Sequence, residues 1–285
     1  MNTKAMSIMA AAALAGLAVK AGQDGDRIAA KCNVYGRDTF QGFERTVFEY
    51  EGCEAWVVEP AKPAEGAPWV WCMEWPTAFQ DRMGVKDLLS AGYRWVTFNP
   101  ASGGRKKVIA GNQNDEMVER RNRFQKFLVA ELGLAEKCGL VGMSWGGFYS
   151  VRYASAHPEC VKAIFLDAPL LDFSTLAKFR GDSWRRLKAY YPQIDAGYVG
   201  ADDPMQPVSP ARAATIAKAG IPVWIVYGAA DEVVPAESNC LRFAAAYEKS
   251  GGHLRLCRDN LRGHHPHGLE PGEGVAFVNF FNAAK

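Results

Sequence analysis

The chain has 285 residues, 48% of them hydrophobic and 22% charged, a composition that supports one large domain with a sizeable buried core. Its 33 basic residues stand against 31 acidic ones, so no strong net field favours nucleic acid or an anionic membrane as its main partner. The expected partner is a small molecule of mixed or no charge.

Residues 1–21 hold one early charge at Lys4, an uncharged run from Ala5 to Val19, and small residues that suit cleavage after Ala21. This is the layout of a secretory signal and implies a periplasmic or secreted protein. The alternative is an exposed N-terminal helix of a cytoplasmic one. No other stretch reaches the roughly 18 to 20 apolar residues of a membrane span, so no integral membrane segment is expected in the mature chain. The seven cysteines are scattered singly, without a Cys-x-x-Cys pair. They read mostly as core residues, and an odd, unpatterned set weighs against an oxidising compartment.

From residue 35 onward the pattern is that of a single domain. Residues 43–50 and 54–58 carry β-branched and aromatic side chains on either side of Glu51-Gly52, which predicts a hairpin. Apolar strand-like runs follow at 69–73, 94–98, 140–141, 161–166, 223–227 and 254–257, separated by amphipathic stretches. The clearest helix spans 115–132, with Met117, Phe124, Phe127, Leu128 and Leu132 on one stripe. Such alternation predicts an α/β fold: a mostly parallel twisted sheet with helices on both faces and its reactive groups at the carboxyl ends of the strands. The rhythm breaks at 171–210, which reads as a cap-like insertion over that edge.

Ser144 lies in Gly142-Met143-Ser144-Trp145-Gly146-Gly147, between an apolar strand and a helical stretch. This is a nucleophile-elbow pattern, in which flanking glycines let the helix approach the strand and leave the serine Oγ exposed. A serine hydroxyl needs a base, and histidine, with an ordinary pKa of about 6.5, suits neutral pH. Three of the five histidines form Gly263-His264-His265-Pro266-His267, between the last strand and the final helix. His264, directly after Gly263, is the expected base because the glycine lets the chain bend inward there. His267 is the alternative, and His265 is expected to face away. His157 and His253 read as structural or solvated. The tract also raises a zinc site, but neighbouring histidines in so short a stretch rarely reach one ion and no cysteine lies beside them, so neither metal nor cofactor is expected.

The acid that orients the base should follow the penultimate strand, where Asp231 stands in Gly228-Ala229-Ala230-Asp231-Glu232-Val233-Val234-Pro235. Glu232 and Asp172 compete with it. Negative charge on a substrate carbonyl needs backbone donors, one from Trp145, after the nucleophile, and a second near the end of strand 69–73. The Glu74 amide is the choice for the second, with Met73 and Trp75 as neighbours on either side. Trp75, Trp145, Trp184, Tyr190 and Tyr191 are candidates to line a pocket, and Arg180, Arg185, Arg186 and Lys188 lie in the same insertion as the last three.

The order Ser144, Asp231, His264 is that of the α/β-hydrolases. Together with Pro68-Trp69-Val70-Trp71, Phe165-Leu166-Asp167-Ala168-Pro169 and the two loops just quoted, it resembles prolyl-oligopeptidase-like and dienelactone-hydrolase-like bacterial esterases from about Phe43 to the C-terminus. The resemblance implies cofactor-free ester hydrolysis by Ser144, Asp231 and His264, with acyl groups on carbohydrates as one substrate class. A peptidase and a non-catalytic binding protein on the same scaffold are the other readings. The basic, glycine-rich stretch 99–113 and the insertion depart from the family's pattern.

Overall fold

The computed structural model describes residues 23–98, 115–172, 175, 185, 206 and 208–284. The signal-like segment 1–21, the stretch 99–113 and most of the insertion 171–210 lie outside them, as do Arg180, Trp184, Arg186, Lys188, Tyr190 and Tyr191.

In chain order the elements are α1 (Gln23–Ala29), β1 (Val34–Phe40), β2 (Phe43–Tyr50), β3 (Cys53–Val58), β4 (Trp69–Cys72), α2 (Val85–Ser90), β5 (Arg94–Phe98), α3 (Asp115–Leu132), β6 (Cys138–Met143), α4 (Trp145–Ala156), β7 (Val161–Asp167), α5 (Pro210–Lys218), β8 (Val223–Gly228), α6 (Cys240–Lys249), β9 (Leu254–Asp259) and α7 (Gly274–Ala283). Among the described residues, nine strands form one sheet in the order β1-β2-β3-β5-β4-β6-β7-β8-β9. Pairing is antiparallel from β1 to β5 and parallel from β5 to β9. The expected mostly parallel sheet is present, and the predicted hairpin turns at Glu51 (φ 46°) and Gly52 (φ 76°), the positive-φ pair that matches strand twist.

Every residue of β4, β5, β6 and β8 is buried, which is why these strands read as continuous apolar runs: both faces of the sheet are covered. Ile28 of α1 and the apolar sides of α3, α4, α5 and α6 fill the core on one face. On the other, α2 and α7 press Leu88, Phe277 and Phe281 against Val70, Trp95 and Phe165. The α3 stripe buries Met117, Phe124, Leu128 and Leu132 as expected, and it also turns Arg121 and Gln125 inward.

The packed unit starts earlier than residue 35. The Glu59 carboxylate accepts the amides of Asp24 (3.2 Å) and Gly25 (3.0 Å) at the start of α1, where anions suit the exposed N–H groups. Asp24, fully buried, lies 2.5 Å from the equally buried Arg94. No helix among the described residues is long and apolar enough to cross a membrane. None of the seven cysteines forms a disulfide; burial pushes the Cys240 thiol up to about 12.

Candidate active site

Ser144 sits between β6 and α4 with φ 51° and ψ −113°, a left-handed conformation that costs a non-glycine residue about 1–3 kcal/mol and is met at functional turns. The flanking glycines are required by contact. A Cβ on Gly142 would lie 2.5 Å from the Gly146 carbonyl oxygen and 2.6 Å from Ser150 Oγ, and one on Gly147 would run into the Pro169 ring. The turn is also held by hydrogen bonds. Ser144 N–H donates to the Asp167 carbonyl (2.9 Å), and the Ser144 carbonyl accepts from Gly147 and Leu170 (2.9 Å each).

The loops after β8 and β9 bring the other two expected residues to this serine. Ser144 Oγ is 3.1 Å from His264 Nε2, and His264 Nδ1 donates to Asp231 Oδ2 at 2.8 Å. The other carboxylate oxygen of Asp231 accepts the amides of Val233 (2.9 Å) and Val234 (2.8 Å). Burial pushes the Asp231 carboxyl up, but the His264 and backbone hydrogen bonds outweigh it and hold the group below its ordinary value.

The inward path of the histidine loop does not depend on a bend at Gly263. Its φ is not positive, and a Cβ there would make only an ordinary contact, 3.6 Å from the Ala230 oxygen. The glycine that matters is Gly228, where a Cβ would strike the Arg262 carbonyl and lie 2.6 Å from that of Gly263.

The competing residues stand elsewhere. Glu232 is exposed. Asp172 is buried, but its carboxylate accepts from Gln206 (3.0 Å). His267, the alternative base, is only 2% exposed and turns to Asp167, with Nδ1 3.3 Å from Oδ2. Asp167 Oδ2 accepts the Gly268 amide, so this residue holds both the Ser144 turn, through its carbonyl, and the histidine loop, through its carboxylate. His157 pairs with Glu119 at 2.9 Å, and His253 is exposed.

Of the three amides weighed as the second oxyanion donor, two are in use. Met73 N–H donates to the Val141 carbonyl (2.9 Å), and Trp75 N–H to the side chain of Glu74 (3.0 Å). The Glu74 nitrogen lies at the elbow, 3.3 Å from where a Cβ on Gly146 would stand. Trp145 is the first residue of α4, so its amide is among those that a helix leaves without an internal partner. The Glu74 carboxyl escaped the sequence reading. It is 1% exposed, and burial pushes it up to about 7 against the Trp75 amide, the Arg121 charge and the Tyr149 hydroxyl, which pull the other way. Nothing local signals this, because Arg121 and Tyr149 come from α3 and α4.

A cavity of about 310 Å³ opens over Ser144, walled by Trp75, Phe79, His264, His265 and His267. Trp75 is 44% exposed, whereas Trp145 belongs to the core, with its ring against Phe148 and Tyr149. His265 does not face away: it is in the cavity wall, stacked on Phe79 with centroids 5.5 Å apart. Burial, then the neighbouring His267 and His264, lower its pKa. Nor does the short spacing keep the histidines apart, since one ring nitrogen from each of His264, His265 and His267 falls within 4.8 Å of the others.

Residues 77–204 match the family described as alpha/beta hydrolase fold. No curated protein is significantly similar in sequence. Among solved structures, Pyrococcus horikoshii acylaminoacyl peptidase is similar with a TM-score of 0.56 at 14% identity, over 88% of this chain and 49% of its own. Porphyromonas gingivalis dipeptidyl peptidase 4 gives 0.61 at 15% identity, over 90% and 35%. An S-formylglutathione hydrolase from Agrobacterium tumefaciens gives 0.56 at 18% identity, over 88% and 96%. The chain thus spans about a third to a half of the length of the two peptidases. With a parallel sheet entered through an antiparallel hairpin and Ser144 raised on the turn after β6, this chain has the alpha/beta hydrolase fold.

Proposed function

We propose that the chain is a serine hydrolase that cleaves carboxylic esters through an acyl-Ser144 intermediate. The observation that carries this reading is the unbroken path from Ser144 Oγ to His264 Nε2 (3.1 Å) and from His264 Nδ1 to Asp231 (2.8 Å). His264 takes the hydroxyl proton as Ser144 attacks the ester carbonyl, and Asp231 fixes the tautomer and steadies the imidazolium. The oxyanion falls to the Trp145 and Glu74 amides, each such donor being worth about 3 kcal/mol of barrier. His264 then passes the proton to the leaving alcohol, and water, deprotonated by the same imidazole, releases the acid.

The cavity of about 310 Å³ is at the small end of ligand sites, which favours a compact acyl group over a folded peptide. An exposed Trp75 at its wall suits a sugar or aromatic ring, so acyl esters of carbohydrates lead the substrate classes. The test is labelling with a fluorophosphonate probe, mapped by mass spectrometry, beside Ser144→Ala and His264→Ala. Stoichiometric labelling at Ser144, lost in both variants, is the expected result. An inert Ser144 in folded protein would leave the non-catalytic binding reading. Comparing 4-nitrophenyl acetate with aminoacyl 4-nitroanilides then separates esterase from peptidase.

A further inference from the structure

We infer that His264, His265 and His267 form a three-nitrogen site for a divalent zinc ion, bound reversibly at the cavity wall. One ring nitrogen of each already lies within 4.8 Å of the other two. The ring centroids are 5.0, 4.8 and 4.8 Å apart, at mutual angles of 69° to 88°. Tetrahedral zinc with bonds of about 2.0–2.1 Å needs nitrogens about 3.3 Å apart, so the rings have at most about 1.5 Å to close, and His265 is exposed.

What sets this cluster apart from a chance group is the carboxylates behind it. His264 gives Nδ1 to Asp231 at 2.8 Å, and the Nδ1 of His267 lies 3.3 Å from Asp167. The His264 ring therefore turns Nε2 away from its carboxylate, the usual support of a zinc-bound histidine, while His267 Nδ1 is buried beside Asp167 without a hydrogen bond. Phe79 braces the His265 and His267 rings, stacked on the first (5.5 Å) and edge-on to the second (5.4 Å). Ser144 lines the same cavity as the three rings, so its Oγ or water is at hand for a fourth ligand. Imidazole nitrogen suits zinc, whereas hard magnesium prefers oxygen.

Zinc in this site takes the nitrogen that faces Ser144 and so blocks proton removal. That consequence rests on the serine-hydrolase reading; the binding itself does not. The experiment titrates zinc chloride into EDTA-stripped protein against a chromogenic zinc chelator, with magnesium chloride run by calorimetry. One zinc per chain is expected, with no magnesium. His265→Ala and His267→Ala should each weaken zinc by about 10-fold or more, at least the loss seen when a supporting residue is removed. Thermal unfolding shows whether the buried His267 variant folds; the exposed His265 variant keeps the test decisive if it does not. Absence of zinc binding, or a His265→Ala protein that binds as tightly as wild type, overturns the site. In a second arm, zinc should abolish fluorophosphonate labelling of Ser144 and EDTA should restore it. Labelling unchanged by bound zinc overturns the blocking role, while a metal-free protein that never labels indicts the catalytic reading instead.

Discussion

Asp231 and Glu74 show two opposite uses of a buried carboxyl. Asp231, held below its ordinary value by His264 and two backbone amides, stays an acceptor and locks the imidazole tautomer. Asp231→Asn should therefore leave the fold intact and lower kcat by about 10⁴-fold, as loss of that tautomer does in serine proteases; steady-state kinetics on an activated ester checks it. Glu74, raised to about 7, binds its proton more tightly in the folded chain than in the unfolded one, where its value is about 4.3. Stability from this group is thus highest below about pH 4, falls as pH rises to about 7, and is level above. Glu74→Gln keeps an acceptor for the Trp75 amide and removes the slope. Urea unfolding at about pH 8 should show it more stable by on the order of 1–3 kcal/mol, with the gain vanishing near pH 4. That Ser144, Asp231 and His264 would meet was legible from residue type and chain order, because the proposed chemistry demands both. The burial of Glu74 was not, since distant helices supply its surroundings.

Between elements, the close approaches decide the site. The Cβ of Gly228→Ala would press on two backbone carbonyls of the histidine loop, which must then shift away from Asp231. A displacement of about 1 Å at a reacting group costs on the order of 100-fold in rate, so kcat should drop by about that factor while circular dichroism stays unchanged. Sequence pointed instead to Gly263, because a glycine beside a candidate base suggests a local bend, whereas the true constraint is a contact between two loops. The parallel strands were readable as buried apolar runs, and the hairpin from its Glu51-Gly52 turn. β1 was missed because it lies at the sheet edge, with exposed Arg37, Asp38 and Thr39 and a register shift between Val34 and Gly36. α1 was missed because a short Gln-Asp-Gly start has little helix propensity of its own; it is held by Glu59 and Arg94.

At the scale of the molecule, α1 is tied to the domain by charge as well as by Ile28. Asp24→Ala leaves Arg94 buried without its counter-ion and should cost about 3–5 kcal/mol. The double variant Asp24→Leu, Arg94→Met should recover most of that loss, and denaturant unfolding of the two proteins checks both. The same architecture separates the proposed reacting parts widely along the chain, with Ser144 after the central strand β6 and His264 beyond the edge strand β9. Asp167 offsets that separation, as its carbonyl holds the Ser144 amide while its carboxylate holds Gly268. The Ser144 turn and the loop that carries His264 are thereby referenced to one datum, so positional errors need not accumulate across the gap between them.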